Sequence, residues 1–364
     1  MRHGGNLDSA RSLYGEGDWQ DLSTGISPWS WPVPPVPNDV WQRLPEPGTA
    51  LCEVAASYYR ISGEQVLPLP GSQFGIARLP THVARGRVAL PCPGYREHER
   101  AWVAAGHQPV FYRHLDELDE YVAQRRIDHL VLINPNNPTG ERLACERVER
   151  YLSGLNERSV VLVDEAFIDL TPERSVAPLL DEHSQVGERA RLWVLRSLGK
   201  FFGLAGVRLG FLLGRPGIGE RRGAPTLFEA LRNEVCPWGV SHPAQWIGCQ
   251  ALRDRSWQEV QRERLLRASA ALEEMWQALP LLNEKGRVKK NLEGRATLAN
   301  GGLFVTLRGE ASTLEAVHHQ LAQQRLWLRL GDSASHPGEG WLRCGLPEDG
   351  GERLRRALGA VSVR

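Results

Sequence analysis

The sequence predicts an α/β fold: a mostly parallel central sheet in a large domain, with a smaller α+β domain toward the C-terminus. Three observations carry that expectation. Between about residues 65 and 215, short apolar runs alternate with helical stretches, the pattern of strands joined by crossover helices. Several of those runs are apolar throughout rather than at every second residue, which suits strands covered on both faces. After a long amphipathic segment, residues 303–344 read as strand, helix, strand, strand, a compact α+β unit.

Residues 1–40 are rich in Gly, Pro and Ser. The run from Trp29 to Pro37 (Trp-Ser-Trp-Pro-Val-Pro-Pro-Val-Pro) is excluded from a helix interior or a central strand by its prolines. It is expected to be an extended arm lying on a surface. Ala50 to Tyr59 has helical spacing, with Thr49 as its N-cap. The expected strands of the large domain are Arg87–Leu90, His129–Ile133, Val160–Val163, Leu192–Leu195 and Leu209–Leu213. Residues 251–280 read as one long amphipathic helix bridging the domains. Beyond it come strands at Leu303–Leu307, Leu326–Leu330 and Trp341–Cys344, with a helix near Thr313–Gln324. The expected division is an arm over residues 1–40 that packs with the small domain and the active site, a large domain over 41–240, and a bridging helix with the small domain over 241–364.

The chain has 364 residues, 41% hydrophobic and 24% charged, enough for a large core and more than one ordinary domain needs. A net charge of +1 without a block of like charge points away from nucleic acid and from anionic membrane surfaces. No apolar run approaches the roughly 20 residues of a membrane span. The opening Met1-Arg-His-Gly-Gly-Asn6 lacks the apolar core of a secretory signal. Six scattered cysteines without a Cys-x-x-Cys pair read as reduced thiols, so a cytoplasmic location is expected and no metal site is. The twelve tryptophans, against two methionines, suggest no function.

The most informative stretch is Arg196-Ser-Leu-Gly-Lys200-Phe-Phe-Gly-Leu-Ala-Gly-Val-Arg208. Its lysine amine can form an imine with an aldehyde, while the Ser197 hydroxyl and Arg208 guanidinium clamp a phosphate. The cofactor that combines those two groups is pyridoxal 5'-phosphate (PLP), which confines the chemistry to amino acids and amines. Four other signals sit just after strands or before a helix, where ligands of parallel sheets bind. Asn134-Pro-Asn-Asn-Pro-Thr-Gly140 is either a turn by composition or a motif whose Asn137 amide donates to the cofactor's ring oxygen. Asp164, in Asp-Glu-Ala-Phe167, either caps the next turn or pairs with the protonated pyridine nitrogen. Gly71-Ser72-Gln73 is ordinary helix capping or a phosphate cradle. Tyr95, in Pro-Cys-Pro-Gly-Tyr, packs in the core or stacks on the ring.

Their order along the chain resembles that of the fold-type I PLP enzymes, the aspartate aminotransferase superfamily. It is most similar to the histidinol-phosphate aminotransferase branch, over nearly the whole chain. That resemblance implies a fold-type I transferase fold with Lys200 as Schiff-base lysine and proton shuttle. It implies Asp164 at the pyridine nitrogen, Asn137 at the ring oxygen, and Ser72, Gln73, Ser197 and Arg208 at the phosphate, with Tyr95 on the ring. Arg343, in Trp-Leu-Arg-Cys-Gly, matches the arginine that grips the substrate carboxylate; the plain alternative is a surface ion pair. A homodimer is implied as well. Two departures stand out. Phe167 stands where the family often has tyrosine, so one hydroxyl to the ring oxygen is missing. Leu44, in Arg43-Leu-Pro45, replaces a tyrosine expected to reach a partner's phosphate.

His3-Gly-Gly-Asn6 and Asp21-Leu-Ser-Thr-Gly-Ile-Ser-Pro28 resemble the opening of the threonine-phosphate decarboxylases of cobalamin synthesis. On that likeness a small phosphorylated amino acid, O-phospho-L-threonine, loses CO2 to give (R)-1-amino-2-propanol phosphate. His3 and Asn6 then close over the substrate, or His3 is simply a disordered terminus. Arg329 then holds the substrate phosphate, or is a solvated strand-edge residue. The alternatives are a PLP-dependent aminotransferase acting on histidinol phosphate or a similar compound, and a non-catalytic binding protein on the same fold. Lys200, Asp164 and Asn137 together argue against the last.

Overall fold

The computed structural model describes residues 4–180, 191–216, 226–279, 296–332 and 338–361. The first part of the chain forms α1 (Leu7–Tyr14), β1 (Gln20–Asp21), α2 (Asn38–Gln42), α3 (Thr49–Tyr59), β2 (Val66–Leu69), α4 (Ser72–Arg78), β3 (Arg87–Pro91) and α5 (Arg96–Ala104). The middle forms β4 (Gln108–Tyr112), α6 (Leu115–Ala123), β5 (His129–Ile133), α7 (Cys145–Gly154), β6 (Val160–Asp164), β7 (Arg191–Ser197), β8 (Gly210–Gly214) and α8 (Leu227–Val235). The last part forms α9 (His242–Arg253), α10 (Arg255–Gln277), β9 (Thr297–Asn300), β10 (Phe304–Glu310), α11 (Ala311–Gln323), β11 (Leu326–Trp327), β12 (Arg329–Asp332), β13 (Glu339–Gly345) and α12 (Glu352–Gly359). The chain divides into two units, one drawn from residues 30–136 and 142–258, the other from the described parts of 1–29, 137–141 and 259–364.

In the larger unit, seven strands form one sheet in the order β2-β8-β7-β6-β5-β3-β4. The pairs β3–β4, β3–β5, β5–β6 and β6–β7 are parallel, while β8 runs antiparallel to both β7 and β2. All five residues of β5, β6 and β8 are buried, as runs without alternation require. Two strands had weaker sequence signals. Pro68 interrupts β2, and β4 exposes Gln108, Pro109 and Phe111, an edge position where proline's missing N–H costs nothing.

Leu69, Ile76, Leu162, Trp193, Leu195, Leu212 and Phe228 belong to one buried cluster of this unit. Each such side chain contributes about 1.5–3 kcal/mol by leaving water. Gly75 lets α4 lie tight on the sheet, since a Cβ there would meet Leu195 Cδ2 at 2.6 Å. The unit extends to residue 258 rather than ending near 240, because α9 packs on α3 through Gly248, which sits against Leu51 and Leu209. It also takes in the arm beyond Trp29. Trp31 is buried, its backbone N–H donates to the Phe202 carbonyl at 2.8 Å and its indole to Asp254 at 3.1 Å.

The expected single helix over 251–280 is two. Asp254 interrupts it and caps the second, its Oδ1 accepting from the Trp257 N–H at 3.1 Å and the Ser256 hydroxyl at 2.9 Å.

The smaller unit is built on an antiparallel sheet in the order β12-β13-β10-β9. The arm joins this unit as structure in its own right. β1 pairs in parallel with β11, Leu22 donates to the Trp327 carbonyl at 2.8 Å, and Gly345 donates to Leu22 at 2.7 Å. Tyr14, Trp19 and Trp327 form an edge-to-face aromatic cluster with centroids 6.1–6.3 Å apart, which ties α1 to β11 and accounts structurally for part of the high tryptophan content.

Candidate active site

The larger unit gathers its chemistry at one end of the sheet. Leu69, Gly210 and Ser197 are neighbours across β2, β8 and β7, so the Gly71-Ser72 turn, the end of β7 and the start of β8 converge. A Cβ on Gly210 would collide with the Ser72 nitrogen, so only glycine permits that approach. Gly71 has φ +82° and ψ 151°, and a Cβ there would lie 2.7 Å from Arg208 Nη2. Arg208 itself is left-handed at φ 56° and ψ 45°, and its Nη1 donates to the Ala205 carbonyl at 3.2 Å. A non-glycine residue in this conformation costs about 1–3 kcal/mol, a strain that collects at functional sites. Ser72, Ser197 and Arg208 thus form a donor set suited to a phosphate.

Asp164, the last residue of β6, is buried. Its Oδ1 accepts from the Ala166 N–H at 3.0 Å, and its Oδ2 lies 3.0 Å from His98 Nε2. With Asp164 ionised, His98 is the donor. The His98 Nδ1 is buried without a partner among the described residues, which suits the tautomer carrying its proton on Nε2. Tyr95 precedes α5, places its ring 6.2 Å from that of His98, and donates its hydroxyl to Gln73 Oε1 at 3.1 Å. Lys200 follows β7 and holds Nζ 5.5 Å from the centre of the Phe167 ring. A phosphate donor set, a buried carboxylate with an orienting imidazole, an aromatic ring and an amine fit PLP. Ser72, Gln73, Tyr95, Asp164, Ser197, Lys200 and Arg208 all lie in this unit. His98 is a residue the sequence reading did not single out. Its signal was the spacing Tyr95-Arg-Glu-His98, three residues apart on one helical face.

The smaller unit carries a second cluster. Arg343 on β13 is buried, and its side chain donates through Nη2 to the Ser23 carbonyl at 2.6 Å and through Nη1 to Asn137 Oδ1. Using its oxygen there leaves Asn137 its amide N–H groups for donation. Ser23 is held by Asp21, which accepts from its N–H at 2.9 Å, and by Gly5, whose N–H donates to the Ser23 hydroxyl at 2.8 Å. Arg329 is the direct cross-strand partner of Arg343. The register thus places two arginines level with each other on neighbouring strands. Asn6 caps α1, its Oδ1 accepting from Ser9 at 3.1 Å. His3 lies outside the described residues. Cys344, next to Arg343, is no nucleophile: burial pushes its thiol up to about 12.

Among the described residues, no group of three or more His, Cys, Asp and Glu side chains could hold a metal, and no helix is long and apolar enough to cross a membrane. Residues 42–361 match the family model for aminotransferase class I and II. The chain is 43% identical to a threonine-phosphate decarboxylase of Pseudomonas aeruginosa over 76% of this chain and 78% of that protein. It is 32% identical to one from a Sinorhizobium species over 99% of this chain and 98% of that one. Its fold resembles a histidinol-phosphate aminotransferase of Sinorhizobium meliloti, solved with pyridoxal-5'-phosphate, at a TM-score of 0.74, 17% identity and coverage of 98% and 94%.

Proposed function

Since the chain belongs to the class I and II aminotransferase family and, within it, to the threonine-phosphate decarboxylases, we propose that it is the PLP-dependent carboxy-lyase converting O-phospho-L-threonine to (R)-1-amino-2-propanol phosphate in cobalamin biosynthesis. The observation that carries this reading in the geometry is the cross-strand pair Arg329 and Arg343. The substrate has two anionic ends, a carboxylate and a phosphate, and each needs a cation.

When bound, PLP would supply an electron sink for the pair released at Cα. Lys200 Nζ would hold the cofactor, and the same amine would deliver the proton that Cα takes up in place of CO2. The Asp164 carboxylate, oriented by His98, keeps the pyridine nitrogen protonated. Ser72, Gln73, Ser197 and Arg208 receive the phosphate, Tyr95 covers the ring, and the Asn137 amide donates to the ring oxygen. Arg343 holds the substrate carboxylate in the orientation that favours its loss over loss of the Cα proton, and Arg329 holds the substrate phosphate. Asn6 closes over the substrate; His3, given the same role by the resemblance, lies outside the described residues. The working form is a cytoplasmic homodimer; the exposed Trp41 and Leu44 beside α2 support an interface between two copies.

The test is a substrate panel on PLP-loaded protein. O-phospho-L-threonine is expected to yield CO2 and the amine. Glutamate formed from 2-oxoglutarate and an amino donor, without CO2, would instead identify an aminotransferase. Borohydride is expected to fix the cofactor on Lys200, and Lys200→Ala to lose both the label and turnover.

A further inference from the structure

On the face of β6 and β7 opposite the residues just assigned lies a buried ionic cluster. Side chains alternate across a strand, so Arg196 and Ser197 at the end of β7 point to opposite faces; Glu165, just past β6, meets Arg196, whereas Asp164 meets His98. Arg196 Nη1 lies 3.3 Å from Glu165 Oε2 and 3.2 Å from the Ser175 hydroxyl, and Nη2 bonds to Asp169 Oδ1. Glu165 also accepts from the Ser175 hydroxyl at 2.6 Å and the Val176 N–H at 2.8 Å. Tyr58 donates to Asp169 at 3.0 Å, and the guanidinium sits 4.4 Å over the Tyr59 ring. The side chains of Arg196, Glu165 and Asp169 are at most 3% exposed.

Burial pushes the Glu165 carboxyl up, against the pull of Arg196. Burial also opposes the Arg196 charge, but Asp169 and Glu165 outweigh it and hold that group above its ordinary value. Stability alone does not account for this arrangement, because well-packed apolar side chains usually do as well as a buried ionic cluster. Position does. Asp164 pairs with Leu195 in the ladder, and the Glu165 N–H donates to the Leu195 carbonyl at 2.9 Å. The Glu165–Arg196 contact clamps the two strands one residue beyond that bond.

We propose that the Glu165–Arg196–Asp169 cluster is a positioning device that fixes the ring-nitrogen acid Asp164 relative to the phosphate-binding Ser197 and the lysine that follows it. The inference rests on the PLP reading of Lys200, and it concerns residues that touch neither cofactor nor substrate. Glu165→Gln keeps the shape and the acceptor for Val176 while removing the charge; Arg196→Lys keeps the charge and loses the fork.

Each variant is to be compared with the parent and with Leu152→Ala, a buried apolar site on α7, at matched distance below its own melting temperature. The readouts are the PLP dissociation constant and the pH midpoint of the visible cofactor band. Whichever cluster variant folds is expected to weaken PLP binding by roughly tenfold, equivalent to about 1.4 kcal/mol, and to move the band midpoint. Leu152→Ala is expected to move neither. The proposal is overturned if either readout stays at the parent value, or if Leu152→Ala moves both equally. A parent that takes no borohydride label at Lys200 overturns the cofactor reading instead, and so distinguishes the two failures.

Discussion

Replacing His98 with alanine tests the core of the site without any cofactor present. The His98 and Asp164 side chains are 1% and 6% exposed, and their bond is 3.0 Å long. A buried hydrogen bond to a charged group is worth about 1.5–3 kcal/mol. Removing the imidazole leaves the Asp164 carboxylate buried with the Ala166 N–H as its remaining partner in the site, and breaking such a pair costs about 3–5 kcal/mol. The apoprotein is therefore expected to lose about 3–5 kcal/mol in urea unfolding. Asp164→Asn removes the carboxylate charge, so it cancels part of that penalty. The cycle of His98→Ala, Asp164→Asn and the double variant should return a coupling energy of about 1.5–3 kcal/mol. At 1.36 kcal/mol per factor of ten, the same energy lowers kcat of the loaded His98→Ala enzyme roughly tenfold to 150-fold. His98→Asn, which keeps an N–H donor, should recover part of both losses. A coupling energy below about 0.5 kcal/mol, within the range of additive sites, would refute the claim that His98 orients Asp164.

Gly71→Ala forces a side chain into a backbone region that is essentially glycine-only, at a cost of about 1–3 kcal/mol, and pushes on Arg208 Nη2. Its PLP dissociation constant, measured by absorbance titration, should rise roughly tenfold or more; unchanged affinity would separate Arg208 from the phosphate. Phe167→Tyr places a hydroxyl in the ring beside Lys200 Nζ. A donor that favours the ionised ring oxygen should lower the pH midpoint of the visible band, and an upward move contradicts that. Glu234 tests a surface network. The hydrogen bonds from Arg78, at 2.7 and 2.8 Å, chiefly hold its carboxyl below the ordinary value, with His82 adding to them. A lowered folded value contributes stability above the unfolded carboxylate pKa of about 4.3, and that contribution disappears as pH falls through the folded value. Glu234→Gln should thus be less stable than the parent at pH 7, by no more than about 1 kcal/mol because the pair is partly solvated. The two stability curves should converge below about pH 4.

The parts of the fold that were legible in the sequence are those whose signal is local. β5, β6 and β7 are buried on both faces, so their apolar runs stand out without knowledge of any neighbour. β4 escaped notice because an edge strand with Gln108, Pro109 and Phe111 exposed has no such run. α1 lay in a segment read as an extended arm; it depends on the Asn6 cap and on aromatic contacts with residues about three hundred positions away. The break at Asp254 was a cap hidden inside an otherwise continuous amphipathic pattern. In the site, Arg329 and Arg343 could each be suspected alone, but their pairing depends on the register of β12 against β13. Register is set by where each strand starts, which composition does not mark.

Asp164 and Glu165 are adjacent at the end of β6, as are Arg196 and Ser197 at the end of β7, and in each pair the two side chains have separate surroundings. Asp164 drew a proposed role because a carboxylate just after an apolar run has an obvious use in PLP chemistry, and Ser197 because it stands three residues before a lysine. Their neighbours were not legible, since nothing local distinguishes a charged residue at a strand end from a solvated one. What makes them informative is burial with partners far along the chain: Arg196 meets Glu165 at a separation of 31 residues, and His98 meets Asp164 at 66. A buried charge with a remote partner must be placed accurately or it destabilises the fold, so the same interactions that are invisible in the sequence are the ones that limit how far the strand ends can move. On the proposed reading, the local motifs mark which groups act, and the long-range charge pairs hold those groups in place.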